Sequence, residues 1–336
     1  MKRFALASVM ALAVAVPAQA VETDVVLSGT FAGSVSYSDS DTVGSDLDVD
    51  NNGSNIGLFA SAQEQGIRAF VNYERGFDRY SPTSTNTEDR DFVREFFGGV
   101  THADYGTLSL GRMSTAYKRA GMRVDPFYDT SLSGFNGLLS NEGASFGLSN
   151  LTNGFTSNTL AYASPAFGNW SGNAALYAND NGSNQGDDDN DFGVGGTYED
   201  LDGGWQAGAQ YLDVNGNVVF GFPVPGGQAL RVHGSYGVET WSLGASAEIV
   251  DIDGGDKREY LFLSGTYQWS EKIQLAAAVG STKDTPFDGE AITAGAFYEV
   301  FKNFNTYAGV RFATLDAEDT LAIATGLRYS FEVDLD

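Results

Sequence analysis

Two histidines, His102 and His233, are the only side chains whose ordinary titration falls near neutrality, and neither stands in a recognisable arrangement with a serine and a carboxylate. The chain has no cysteine, which excludes thiolate nucleophiles, thiolate metal sites and a disulfide scaffold. No strand leads into a helix through GxGxxG or a phosphate loop. Bond-making chemistry, such as that of an outer-membrane hydrolase, therefore finds little support, and the informative residues are the fixed charges. Nine of the nineteen basic residues fall between Arg68 and Arg123: Arg68, Arg75, Arg79, Arg90, Arg94, Arg112, Lys118, Arg119 and Arg123. Arg68 alternates with Ile67 and Ala69, while Arg311 and Arg328 alternate with Val310 and Phe312 and with Leu327 and Tyr329, which puts all three on the wet face of their strands. Arg94, within VREFFGG, is ambiguous by hydropathy. Arg112 is in phase with Leu108 and Leu110, which points it to the apolar face unless the strand bulges. Such charges along a watery path orient dipolar solutes and separate cations from anions.

The formal net charge is -25, and removing Lys2 and Arg3 with an N-terminal leader takes it to -27. A chain this acidic offers no basic face for nucleic acid. Two acidic stretches are candidates for calcium or magnesium. Asp48, Asp50 and Asn52, followed by Gly53, match the first half of a calcium loop, but Phe59 stands where the closing glutamate belongs. Asp187 to Asp191, within GDDDND, is a second acidic run that could hold divalent cations. The simpler reading of both is a solvated acidic loop.

Met1 to Ala20 has a basic start, an apolar run from Phe4 to Val16, Pro17 and a small-x-small ending, the pattern of a secretory signal peptide cleaved before Val21. No later segment approaches eighteen consecutive apolar residues, so membrane insertion would require a closed barrel. The residues that follow alternate with period two. Sixteen such segments are expected, near 24–37, 54–63, 66–75, 91–101, 106–113, 157–164, 169–177, 191–199, 204–213, 228–238, 240–250, 258–268, 272–281, 290–300, 304–314 and 320–331. An even count near sixteen suits a barrel with an aqueous channel. Connections alternate between short turns and longer loops rich in Asp, Asn, Gly and Ser. Trp170, Trp205, Trp241 and Trp269 all sit beside the short turns, as an aromatic girdle at one membrane interface would.

YGTLSLGR (Tyr105 to Arg112) and NTLAYASPAFG (Asn158 to Gly168) bracket an insert, Met113 to Ser157, that does not alternate. This pairing of a TLxLGR strand, a long insert and an SPxFG hairpin resembles the general porins of Gram-negative outer membranes, in which the third long loop folds into the barrel and narrows it. The resemblance implies an all-β transmembrane antiparallel barrel over 21–336, with a constriction loop at about 113–157. It also implies a homotrimer in contact with lipid bilayer and lipopolysaccharide. It tips Arg94 inward, adds Arg112 to the constriction, and makes VDPFYDT the nearest match to the family's acidic loop motif. Asp125, Asp129 and Glu142 would then face Arg68, Arg94, Arg311 and Arg328 across the pore. The tail Glu332 to Asp336 departs from the terminal aromatic with which such barrels usually finish.

The expected function is passive diffusion of ions and small hydrophilic solutes. Cation preference is expected because the external loops carry Asp39, Asp41, Asp46, Asp48, Asp50, Asp187, Asp188, Asp189, Asp251, Asp253 and Asp284. A substrate-selective channel and a structural or adhesive barrel are the rival readings, and the sequence shows no regular ladder of lumenal aromatics for a sugar slide.

Overall fold

The structure is a computed structural model that describes residues 21–41, 44–77, 92–135, 146–149, 151, 155–178, 191–200, 202–214, 226–253, 255, 257–283, 288–316 and 318–335. The period-two segments form β1 (Glu22–Ser40), β2 (Gly44–Asn51), β3 (Asn55–Glu64), β4 (Ile67–Gly76), β5 (Phe92–His102), β6 (Gly106–Met113), β7 (Thr156–Ala163), β8 (Trp170–Tyr177), β9 (Asp191–Asp200), β10 (Trp205–Val214), β11 (Gly227–Gly237), β12 (Trp241–Ile252), β13 (Lys257–Ser270), β14 (Ile273–Lys283), β15 (Gly289–Phe301), β16 (Phe304–Leu315) and β17 (Glu318–Asp334). Neighbours pair antiparallel, and β1 closes the sheet on β17 from Val26↔Asp334 to Ser40↔Thr320.

Both β2 and β3 lie along β1, β2 from Gly33↔Asn51 to Ser40↔Gly44 and β3 from Glu22↔Gln63 to Thr30↔Asn55. They make one wall strand broken at Asn52, Gly53 and Ser54, so the closed barrel has sixteen strands. Gly53 takes φ 83°, a left-handed conformation that glycine adopts without penalty. The ladder across the break is carried by Ser54, whose Oγ accepts from Ala32 N and donates to Ala32 O, each at 3.0 Å.

One expectation is corrected here. Asp39, Asp46, Asp48, Asp50 and Asp251 belong to strands rather than to external loops; through the first four the alternation continues, with Leu47 pairing with Tyr37 and Val49 with Val35 on the outer face, and Asp251 pairs with Lys257 at the end of β12. The stretch read as half a calcium loop is therefore extended, with Asp48 and Asp50 on one side at alternate positions and Asn52 in the break that follows.

Alternation fixes the two faces of the wall. On β4, Ile67, Val71 and Tyr73 are exposed on the outside, whereas Arg68, Phe70, Asn72 and Glu74 face inward and are partly covered. The short turns gather at one end of the barrel because every strand is antiparallel to the next, and Trp170, Trp205, Trp241 and Trp269 stand at strand ends beside them, all exposed.

The insert between β6 and β7 carries the one helix among the described residues, α1 (Ala116–Met122), whose first turn is capped by the Thr115 hydroxyl accepting from Lys118 N at 3.0 Å. Beyond it, Val124, Phe127, Leu132, Phe135 and Leu148 are buried against Phe262, Ala276, Ala278, Tyr307, Ala322 and Ala324 of the wall. These wall residues share the inward register with Arg311 and Arg328. Their smallness makes the seat. A Cβ on Gly295 would lie 3.0 Å from Phe127, and one on Gly309 would lie 2.8 Å from Leu132. Burial of large apolar side chains at about 1.5–3 kcal/mol each holds the insert to this shelf.

Gly309→Leu should overfill the seat of Leu132 and destabilise the barrel by about 1–3 kcal/mol. The measurement is the temperature of the heat-induced mobility shift on SDS gels, and an unchanged temperature would mean that the shelf does not support the insert.

Candidate functional site: the charged lumen

Inside the barrel the charges are arranged around the tip and the root of the insert. The β4–β5 ladder shifts register between Glu74 and Arg75, opposite Glu95 and Val93, so Arg94 is the extra residue of a bulge. That bulge turns Arg94 toward the inward Glu74, and its Nε lies 2.5 Å from Glu74 Oε1 while Nη1 donates to the Gly53 carbonyl at 3.1 Å. Phe155, at the far end of the insert, has the Arg94 guanidinium 5.0 Å and the Lys118 ammonium 4.2 Å from its ring centroid. Glu95 accepts from Asn72 at 3.0 Å and from Ser114 N at 3.3 Å, which ties the root of the insert to the same ring of charges. On the far side Arg328 Nη1 meets Asp129 Oδ2 at 3.0 Å. Asp129 holds φ 57°, a left-handed conformation that Asp tolerates better than most residues, and it aims its carboxylate back at the wall.

A second set of polar groups is dry and fastens the insert. Arg231 Nη2 and Glu248 Oε2 are 2.7 Å apart with both side chains fully buried, and Arg231 Nη1 donates to Tyr117 O at 2.8 Å. Glu248 also accepts from the Tyr117 hydroxyl at 2.6 Å and from the Ser149 amide at 3.1 Å, with the Ser149 hydroxyl donating to it as well. Ser264 donates to Val124 O at 2.5 Å. At the tip, the Ser131 hydroxyl donates to Asp50 at 2.8 Å and lies 2.6 Å from Ser34 Oγ, and Asn52 donates to Ser34 at 2.9 Å.

The sequence-derived residues divide among these settings. Arg94, Asp129 and Arg328 come together with Glu74 and Glu95. Arg68 faces inward nearer the short turns. Arg311 is inward but buried beneath the insert, its Nη1 donating to Ser133 O at 3.0 Å and its guanidinium 4.0 Å from the Phe146 ring centroid. Asp125 does not present its carboxylate to water: it accepts from Phe127 N at 2.9 Å, Ser133 Oγ at 2.7 Å and Gly134 N at 2.8 Å and so folds the turn at 125–134. Burial pushes its carboxyl above the usual range, against the pull of those hydrogen bonds and of Arg311. Arg112, whose Cα pairs with that of Phe96, sits where the β6–β7 ladder shifts register between Gly111 and Met113; it donates to Val93 O and Ser157 Oγ at 2.8 Å each, and its guanidinium lies 6.0 Å from the centroid of the Phe155 ring that Arg94 and Lys118 also approach. Glu142, Asp187 to Asp189, Asp284 and the leader lie outside the described residues. Asp191 is buried at the start of β9. His102 accepts from Asp104 N in its turn, and His233 is a buried inward residue of β11.

Sequence reasoning missed Glu74, Glu95, Lys118 and the Arg231–Glu248 pair. Glu74 shares the inward parity of Arg68 and was legible by it. It also missed a group of lumenal aromatics, Phe59, Phe70 and Phe97, which alternation places inward on β3, β4 and β5.

A closed sixteen-stranded antiparallel barrel, apolar outside and charged within, is an outer-membrane channel for passive diffusion. The profile of the Gram-negative porin family matches residues 5–318, and the chain belongs to that family. No curated protein matches the sequence. Among solved structures, an anion-selective porin from Comamonas acidovorans is 18% identical with a TM-score of 0.73, covering 92% of this chain and 100% of its own. OmpF of Salmonella typhi, in complex with daunomycin, is 16% identical with a TM-score of 0.66, over 93% and 98%. The trimer form of OmpT, an outer membrane protein of Vibrio cholerae, is 16% identical with a TM-score of 0.66, over 93% and 100%. At such identities the likeness is one of fold.

Two measurements follow from the insert. Glu248→Ala strands the Arg231 guanidinium in a dry site and should cost about 3–5 kcal/mol of stability, read from the same thermal shift. Burial, with the Arg94 charge adding to it, brings the Lys118 ammonium down to about 8, while Asp129, Glu95 and Glu74 pull the other way. Lys118 is therefore charged below about pH 8 and neutral above it, and the ring loses a positive charge as pH rises through that value. The reversal potential under a salt gradient should move toward cations over that interval. In Lys118→Met the movement should vanish, and its persistence would assign the titration to another group.

Proposed function

We propose that the chain is exported by the cleaved leader Met1 to Ala20 and forms a trimeric, weakly cation-selective diffusion channel, with the insert from Met113 to Ser157 as its constriction. The tryptophans beside the short turns then mark the periplasmic interface, and the β1–β2 hairpin rises toward the external mouth. Support for three subunits comes from the family and from the trimer form of the Vibrio protein. Support for a constriction comes from the contacts of α1, Val124, Phe127 and Asp129 with inward positions of the wall.

The observation that carries the cation preference is the inner face of β2. Asp46, Asp48 and Asp50 stand there at alternate positions, opposite Ser38, Ser36 and Ser34 of β1 rather than opposite bases. In the ring beneath them, Arg94 and Arg328 are each in contact with a carboxylate, so the ring is close to balanced. The effect of these partly covered pairs is to place charge. Above the ring, the unbalanced charge is the Asp ladder.

The screening length is about 8 Å at physiological ionic strength, so the preference should be modest and strongest in dilute salt. In a KCl gradient the wild-type channel should give a cation-sided reversal potential, and Asp46→Asn with Asp48→Asn should carry it toward zero. An anion-sided potential in the wild type would defeat this assignment.

A further inference from the structure

Below the charged ring, toward the short turns, the lumen has an apolar patch beside an isolated cation. Phe59, Phe70 and Phe97 all face inward on adjacent strands and are partly exposed. Phe59 and Phe70 have centroids 6.1 Å apart at 23°, and Phe70 and Phe97 are 6.1 Å apart at 83°. None of the three joins the buried clusters under the insert. Gly99 gives Phe70 its position, since a Cβ there would lie 2.8 Å from the ring.

The Arg68 guanidinium lies 5.1 Å from the Phe59 centroid. Arg94 has Glu74, Arg328 has Asp129, Arg123 has Glu199 and Arg231 has Glu248, but Arg68 has no carboxylate within ion-pair reach among the described residues. Its Nε is buried and unpartnered. Its cross-strand neighbours are Gln63 and Thr101, and the nearest carboxylate on the same rung, Glu22, is two strands away, about 10 Å.

We infer that Arg68, Phe59, Phe70 and Phe97 form a lumenal subsite for small aromatic carboxylates. A planar carboxylate fits the guanidinium fork, and an attached ring finds both stacked and edge-on partners. The rings are all phenylalanine, without the polar tips that would help to hold a sugar, and the positive charge disfavours an aromatic cation. The subsite rests on the channel reading and adds to it a ligand class that the pore retains briefly during passage. It sits on the opposite side of the ring from the Asp ladder, so weak cation preference at one mouth and capture of an organic anion near the other are compatible.

The test is conductance of the purified protein in KCl with benzoate, acetate or benzyl alcohol added. Benzoate should reduce the current saturably, with half-block about tenfold below that of acetate, which has the charge alone, and of benzyl alcohol, which has the ring alone. Arg68→Gln, with block expressed relative to its own open-channel current, should raise the benzoate half-block about tenfold. Phe70→Leu with Phe97→Leu reads the aromatic contribution separately and should weaken the block while leaving acetate unaffected. Benzoate acting no better than acetate, or block unchanged in the variants, would overturn the subsite while the channel stands. A wild-type protein without KCl conductance would overturn the channel reading beneath it.

Discussion

Hydrocarbon offers no partner to a backbone amide or carbonyl, and that constraint governs the molecule. A sheet meets it only by closing, and the pairing of β1 with β17 over fifteen rungs is where this one closes. Once the edges are gone, each strand presents alternate residues to lipid and to water. The outer face can then be apolar and the inner face free to carry charge. The break at Asn52, Gly53 and Ser54 shows how strictly the constraint is obeyed. There the Ser54 hydroxyl stands in for the missing ladder groups opposite Ala32.

Closure also creates the surface on which the insert rests. The inner faces of β14 to β17 are lined by Ala276, Ala278, Gly295, Gly309, Ala322 and Ala324, residues too small to fill the lumen and apolar enough to be covered. The insert supplies the missing volume with Val124, Phe127 and Leu132. Two carboxylates, Asp125 and Glu248, are removed from water in the process, and each is surrounded by donors. A buried charge so arranged makes a poor general stabiliser but a specific fastener, because moving the insert by one residue would strand it.

The lumen thus acquires two chemical halves. The wall of β14 to β17 is dry where the insert covers it, and water is left to the rest of the lumen, at β2 to β5 and around the Arg123–Glu199 pair. Along the lumen the charges are sorted by height, with the Asp ladder of β2 above, the paired ring of Glu74, Arg94, Asp129 and Arg328 between, and Arg68 with its phenylalanines below. Selectivity in such a channel is set by the charges left without partners rather than by the number present.

The sequence by itself determined the barrel, its strand positions, the leader as an expectation and the inward parity of Arg68, Arg311 and Arg328, because period-two alternation is a local property that needs no knowledge of neighbours. Continued alternation from Asp46 to Asp50 was also legible, although its density of aspartates made it read as loop. Only the tertiary structure decided which charges meet. Arg94 turns inward through a bulge that depends on its pairing with β4, Asp125 leaves the water by accepting from donors of the insert's own turn, and Arg311 because the insert crosses over it. Asp129 meets Arg328 across 199 positions of chain. Parity says which side of a wall a residue faces. What it faces there depends on barrel closure and on the path of a segment that does not alternate, and neither is written in local periodicity.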